Sequence, residues 1–238
     1  MGVLGIRIWE WSVLGSVIFS FLYWLKFSRT KFTLGIYLGF TLCFGWTWLY
    51  DMPFLLRLSN PPESFGGFTF GGHWEPLWTA FSYCALALPI MLCLGYRDWL
   101  QKKMGVWRHP IIAFTTGILI MFYEGGYGVL LLNVETYHWR PEFIIGGVPW
   151  PNTFIFVPLL IALPILFAES FGKLIAAAGD IAFTDPKTAR SLPLGIGSWS
   201  SFWMGFAIPQ VAMYINFIVL LTLLDHLQPW TPLPAVHL

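Results

Sequence analysis

The sequence predicts an all-α integral membrane protein, a single domain over residues 1–238 with a bundle of about six transmembrane helices and both termini on the non-cytoplasmic side. Composition is the first reason. Hydrophobic residues make up 57% of the chain and charged residues only 11%, less than half of the roughly 25% typical of soluble domains. The mean hydropathy of +0.67 agrees. The second reason is the grouping of apolar residues into long runs, and the third is the placement of the basic residues between them.

Each apolar run approaches the roughly 20 residues that a helix needs to cross the hydrocarbon layer. The runs are residues 8–27, 34–55, 76–96, 110–132, 152–174 and 200–224. Polar, proline-rich or glycine-rich breaks separate them, which is typical of connections between helices. The fifth run continues after Lys173 as LIAAAGDIAF, so its end stays open, and a second helix lying at the membrane interface is an alternative there.

The basic residues alternate between the two sides of this predicted bundle. Most of the 13 Lys and Arg residues follow the first, third and fifth runs: Lys26, Arg29, Lys31, Arg97, Lys102, Lys103, Arg108, Lys173, Lys187 and Arg190. Cytoplasmic loops carry such an excess, so we expect these three connections in the cytoplasm of a multi-pass plasma-membrane or inner-membrane protein. The net charge of +1 gives no indication of a nucleic-acid partner.

Acidic residues inside apolar runs are costly and usually face the interior of a bundle. Asp51 ends the second run, Glu124 lies towards the outer side of the fourth, and Glu169 lies near the cytoplasmic end of the fifth. Lys173 follows Glu169 by four residues, a spacing that favours an ion pair within one helix. Asp51 and Glu124 both fall in the outer half, so they can share one pocket.

Aromatic residues surround these two acids. Burial keeps a carboxyl group protonated, and neighbouring aromatic faces stabilise a developing cation, a combination that suits acid-initiated cyclisation of an apolar substrate. We therefore expect Glu124 and Asp51 to be catalytic. The residues expected to contact the substrate are Tyr123, Tyr127, Trp48, Tyr137, Trp139 and Asn216. A purely structural role for Glu124, bonding a neighbouring helix, is the alternative.

Two further groups of polar residues have open interpretations. Pro209, Gln210, Tyr214 and Asn216 lie in the middle of the last run, where they either line the same cavity or bond neighbouring helices. Imidazole and carboxylate groups suit several divalent ions, and His73, Glu75 and His138 lie in the outer loops. These residues form no clustered ligand motif, so the sequence predicts neither a metal site nor a cofactor.

A family resemblance runs through the same segments. Glu124, then Tyr137-x-Trp139, then GGVP at 146–149 and a new apolar run resemble the pattern of membrane lycopene-cyclase-type proteins of carotenoid biosynthesis. The stretch WLYDMPFLLRLSNP around Asp51, followed by an aromatic loop and the Glu124 run, is similar to the AveC-like spirocyclases. The resemblance implies an acid–base cyclase. Trp150 and Pro151 stand where the carotenoid pattern has paired glutamates.

The sequence thus favours a membrane-embedded acid–base cyclase or isomerase that acts on a terpenoid-like or polyketide-like substrate. The alternative is a non-catalytic accessory subunit of a larger membrane complex, which binds a partner, pigment or quinone through its long aromatic outer loops. A transporter is a third class, but the chain shows no internal repeat of the kind that transporters have. The expected partners are the lipid bilayer, an apolar small molecule and, in the alternative, other membrane subunits.

Overall fold

The structure is a computed structural model, and it describes residues 3–43, 55–58, 67–70, 73–76, 83–123, 137–139, 144–145, 148–150 and 152–227. Within these ranges the chain is mainly helical. The α-helices are α1 (Val3–Tyr23), α2 (Lys31–Cys43), α3 (Ala87–Gly95), α4 (Arg97–Met104), α5 (Arg108–Met121), α6 (Val157–Ala177), α7 (Pro186–Ala189) and α8 (Trp199–Leu227). Short π-helical and 3₁₀ turns extend several of them, at Trp24–Ser28, Tyr83–Leu86, Gly105–Trp107 and Asn152–Phe156.

Three helical stretches of the described chain are long and apolar enough to cross a membrane, namely Arg7–Ser28, Arg97–Met121 and Thr153–Ala177. The apolar helix Tyr83–Gly95 is shorter. The helical class predicted from composition is therefore confirmed. At about 1.5 Å of rise per residue, a 25-residue helix such as Thr153–Ala177 matches the roughly 30 Å of a bilayer core.

The connecting segments hold three short antiparallel strand pairs, which the all-α prediction did not include. Strand β1 (Leu55–Leu58) pairs with β4 (Tyr137–Trp139), β2 (Gly67–Phe70) with β3 (His73–Pro76), and β5 (Ile144–Ile145) with β6 (Val148–Pro149). Two predicted helix ends are wrong for this reason. Leu55 lies in β1 rather than in the second helix, and Pro76 lies in β3 rather than in the third.

Small residues allow α2 and α8 to cross at very short range. Gly35, Gly39 and Gly205 are all buried, and a Cβ atom on Gly39 would lie 2.5 Å from the carbonyl oxygen of Phe206. Added Cβ atoms on Gly35 and Gly205 would collide with backbone atoms of the opposite helix. The spacing of Gly35 and Gly39 is the small-xxx-small pattern by which membrane helices pack backbone to backbone.

Helix α6 lies at the centre of the packed body and contacts α3, α5 and α8. Its residues Leu160, Ile161 and Ile165 are fully buried, because it has neighbours on several sides. In contrast, α1 exposes a row of large apolar side chains that include Trp11, Ile18 and Phe19, which is the surface expected towards lipid.

Buried polar contacts join the end of α1 to the segment before α8. Arg29, whose φ of 57° ends the π-helical turn, donates to the carbonyl oxygens of Arg190 and Leu192 at 3.0 and 2.9 Å. The Lys31 ammonium donates to the Gly197 carbonyl at 2.8 Å, and Thr30 bridges to Ile196. We call this side of the body the basic end, defined by Lys26, Arg29, Lys31 and Arg190.

Candidate functional site

The predicted site is only partly covered by the described residues. Asp51, Trp48, Glu124 and Tyr127 lie outside them. Tyr123 ends the helical segment that follows α5. The remaining predicted site residues are Tyr137 and Trp139, on β4, and Asn216, in α8.

Tyr123 packs against the first turns of α1. Its ring stacks on Trp9 with a centroid distance of 4.8 Å and an interplanar angle of 28°. Its hydroxyl shares a 2.6 Å hydrogen bond with the Ser12 hydroxyl, 111 residues away along the chain. The residue that directly precedes Glu124 is therefore fixed against the N-terminal helix, at the end of the body opposite the basic end.

A buried acid that the sequence interpretation did not select lies beside this contact. Glu10 is only 2% exposed, and its carboxylate pairs with Arg7 at 3.2 Å. Its sequence signals were modest: a single acid just inside an apolar run, with an arginine three residues before it. We define the Glu10 cluster as Arg7, Trp9, Glu10, Ser12 and Tyr123. It combines a compensated carboxylate with two aromatic rings and two hydroxyl groups.

The pairing of β1 with β4 brings two predicted halves of the site together at the level of the backbone. Leu55 pairs with Trp139 and Leu58 with Tyr137. Leu55 lies four residues after Asp51. The segment leaving the second predicted span thus runs antiparallel to the segment that carries Tyr137 and Trp139. The alternative metal residues His73 and Glu75 lie on β3, and His138 lies on β4.

Asn216 is fully buried and is oriented by one hydrogen bond. Its Nδ2 donates to the Phe156 carbonyl at 2.6 Å, so its Oδ1 points elsewhere and has no hydrogen-bond partner among the described residues. A buried acceptor of this kind is costly to leave unmet, by about 1–3 kcal/mol, and suits a ligand hydroxyl or a water molecule. The neighbouring polar residue Gln210 instead bonds helices, because its Nε2 donates to the Gly39 carbonyl at 2.7 Å.

Glu169 does not form the predicted pair with Lys173. It lies opposite Arg108, whose Nη2 donates to both carboxylate oxygens at 2.6 and 2.5 Å. The side chain of Gln101 accepts from Nη1 of the same guanidinium, and His109 Nε2 lies 3.3 Å from Glu169 Oε1. The interhelical partner is stronger because Arg108 is itself buried, at 7% exposure, and needs a counter-ion.

Cys93 completes this polar group within the body. Ligand-type atoms of Cys93, His109 and Glu169 all lie within 4.8 Å of one another, and such side chains can hold a transition metal. Arg108, however, already occupies both oxygens of Glu169. These residues therefore form an ion-paired network that joins α3, α5 and α6.

Comparisons with known proteins give short matches to a component of a respiratory enzyme. A stretch of 46 residues, 19% of the chain, is 39% identical to a subunit of NADH-quinone oxidoreductase from Ralstonia nicotianae. The corresponding protein of Ralstonia pickettii matches to the same extent. The chain spans only 13% of the length of these relatives. No protein-family description matches the chain, and no solved structure does.

Proposed function

We propose that this protein is a six-span membrane enzyme, an acid–base cyclase or isomerase acting on an apolar terpenoid-like or polyketide-like substrate. Glu124 is the proton donor in this proposal, and Asp51 is its partner or the base that takes the proton back. The site opens at the Tyr123 side of the body, away from the basic end. The basic end faces the cytoplasm, in keeping with the distribution of Lys and Arg.

The pairing of β1 with β4 is the observation that carries the proposal. It joins the chain that follows Asp51 to the strand of Tyr137 and Trp139, two segments more than 80 residues apart in sequence. The contact of Tyr123 with Trp9 and Ser12 adds the start of α1 to the same side of the body. Together these contacts support a common wall built from three separate parts of the chain.

The reaction class follows from the residue types. A protonated carboxyl group transfers its proton to a double bond or an oxygen of the substrate, and a positive charge develops on carbon. Aromatic faces stabilise that charge while a new ring bond forms. A carboxylate then removes a proton from a neighbouring atom, so the product is an isomer of the substrate and the enzyme regains its starting charge. Glu10, with its Arg7 partner, is an additional candidate for this second role.

The decisive experiment compares lipid extracts from membranes that contain the wild-type protein or the Glu124→Gln variant. Because cyclisation preserves mass, the readout is a compound that changes chromatographic retention at constant mass. We expect Glu124→Gln to abolish the product and accumulate its isomer. Asp98→Asn is the matched control, since the Asp98 side chain is 91% exposed. An unchanged product level in a well-folded Glu124→Gln protein would exclude the cyclase.

A second candidate function has one observation in its favour. The short match to a component of NADH-quinone oxidoreductase favours a non-catalytic subunit of a larger membrane complex that binds a partner, pigment or quinone. Purification in a mild detergent distinguishes the two. A companion chain in fixed stoichiometry would support the accessory role, whereas a solitary protein that still converts its lipid would support the enzyme.

A further inference from the structure

Two cations converge on one aromatic ring at the basic end. The Lys26 ammonium lies 5.3 Å from the centroid of the Phe27 ring, and the Arg190 guanidinium carbon lies 4.8 Å from the same centroid. Lys26 and Phe27 belong to the π-helical turn after α1, whereas Arg190 follows α7. The two cations thus come from segments more than 160 residues apart.

The backbone around Phe27 is held by hydrogen bonds, so this convergence is part of the fold. Arg29 donates to the Arg190 carbonyl at 3.0 Å and to the Leu25 carbonyl at 2.9 Å. The Thr184 hydroxyl donates to the Ser28 carbonyl at 2.7 Å. These contacts fix the loop that carries Arg190 against the end of α1.

Neither cation has a carboxylate partner within the described part of the chain. The ion pairs found there are Arg7 with Glu10, Arg97 with Asp98, and Arg108 and His109 with Glu169. The two acids of the loop that leads to Arg190 are engaged elsewhere. Asp180 accepts from Ser198 and Ser201, and Asp185 accepts from the Lys187 backbone amide. Lys26 and Arg190 are both exposed, so an external anion can reach them.

The position along α1 identifies the anion. Phe27 lies at the last turn of Arg7–Ser28, a stretch long and apolar enough to cross a membrane. Side chains at such an end lie at the depth of the lipid headgroups, where anionic lipids offer phosphate to Lys and Arg. We infer that Lys26, Phe27 and Arg190 form a binding site for an anionic phospholipid. The cations bind its phosphate, and the ring packs against its glycerol and upper acyl chain. This site is separate from the proposed active site.

The test measures lipid binding to the purified full-length protein by native mass spectrometry, with added phosphatidylglycerol, phosphatidylcholine or inorganic phosphate. We expect tighter binding of phosphatidylglycerol than of phosphatidylcholine, and no competition from millimolar phosphate. The double variant Lys26→Gln/Arg190→Gln should weaken phosphatidylglycerol binding by about 10- to 30-fold, as expected for two headgroup cations. Lys26→Arg/Arg190→Lys, which keeps both charges, should retain most of the binding.

Lys102→Gln/Lys103→Gln is the matched control, because it removes the same charge from two exposed lysines of α4 at other positions. We expect a change smaller than about threefold there. An equal loss in this control would mean a diffuse charge effect and would overturn the site. So would equal binding of phosphatidylcholine, or full displacement by inorganic phosphate. Size-exclusion profiles establish that each variant is folded before its lipid binding is compared.

Discussion

Arg108 and Glu169, 61 residues apart in sequence, form a two-point ion pair in which one guanidinium nitrogen donates to both carboxylate oxygens. The two side chains are only 8% and 14% exposed. An ion pair of this kind joins α5 to α6 in the interior, where an unpaired charge is far more costly than at the surface.

Removal of either partner should therefore destabilise the protein strongly. We expect Arg108→Gln or Glu169→Gln to lower the free energy of unfolding by about 3–5 kcal/mol, with the double variant less affected than the sum of the two. Unfolding in mixed detergent micelles, followed by tryptophan fluorescence, measures it. Arg97→Gln is the control, because its pair with the exposed Asp98 is worth only about 0–1 kcal/mol. Equal effects of Arg97→Gln and Arg108→Gln would contradict the interior pair.

The glycine crossing of α2 and α8 gives a second prediction. Gly205→Leu should prevent the two helices from approaching, because even a Cβ atom there collides with the Phe32 carbonyl. We expect loss of the monodisperse peak in fluorescence-detected size-exclusion chromatography. Gly15→Leu is the matched control, since a Cβ atom on Gly15 meets nothing within 4 Å. A normal elution profile for Gly205→Leu would show that the helices do not cross at this point.

The contact between Tyr123 and Ser12 can be measured with a double-mutant cycle. Tyr123→Phe keeps the ring that stacks on Trp9 and removes only the hydroxyl, and Ser12→Ala removes its partner. Each single change should cost about 1 kcal/mol of unfolding free energy, and the two together about the same as one, because they share one hydrogen bond. Strictly additive losses would place the two hydroxyl groups apart.

Asp180 predicts a dependence of stability on pH. Hydrogen bonds from Ser198 and Ser201 hold the pKa of its carboxyl group well below the usual value, against the opposing effect of partial burial. Its contribution is therefore present above the unfolded-state pKa near 3.9 and is lost as the pH falls through the lower folded-state pKa. Asp180→Ala should reduce the melting temperature at pH 5–8, and the difference from wild type should shrink below about pH 4. A difference that does not change with pH would refute this origin.

Much of the helical layout was predictable because apolar runs and their breaks are local features of the chain. The predicted starts at residues 152 and 200 lie within one residue of the observed helical segments beginning at Asn152 and Trp199. A count of six membrane spans and the orientation of the termini stay predictions. The partner of Glu169 was wrong, because local spacing identified Lys173 and carries no information about a residue on another helix.

The site was less predictable for the same reason. The pairing of Leu55 with Trp139, and the contact of Tyr123 with Trp9, depend on how distant segments meet. Glu10 was missed because its run begins close to the N-terminus, where an acid reads as part of a polar flank rather than as a buried group. The catalytic roles of Glu124 and Asp51 stay predictions, and Asn216 has the buried, one-sided hydrogen bonding that a ligand contact would use.

The hydrogen bonds from Arg29 to residues 190 and 192 also have a consequence for biosynthesis. The ribosome makes α2 and its basic flank long before it makes α8, since 161 residues separate Arg29 from Arg190. Until then the glycine face of α2 has no permanent neighbour, and the early helices wait in an unfinished arrangement. Assembly therefore ends with the last helix, and a nascent chain stalled before residue 199 exposes a surface that quality-control proteases can recognise.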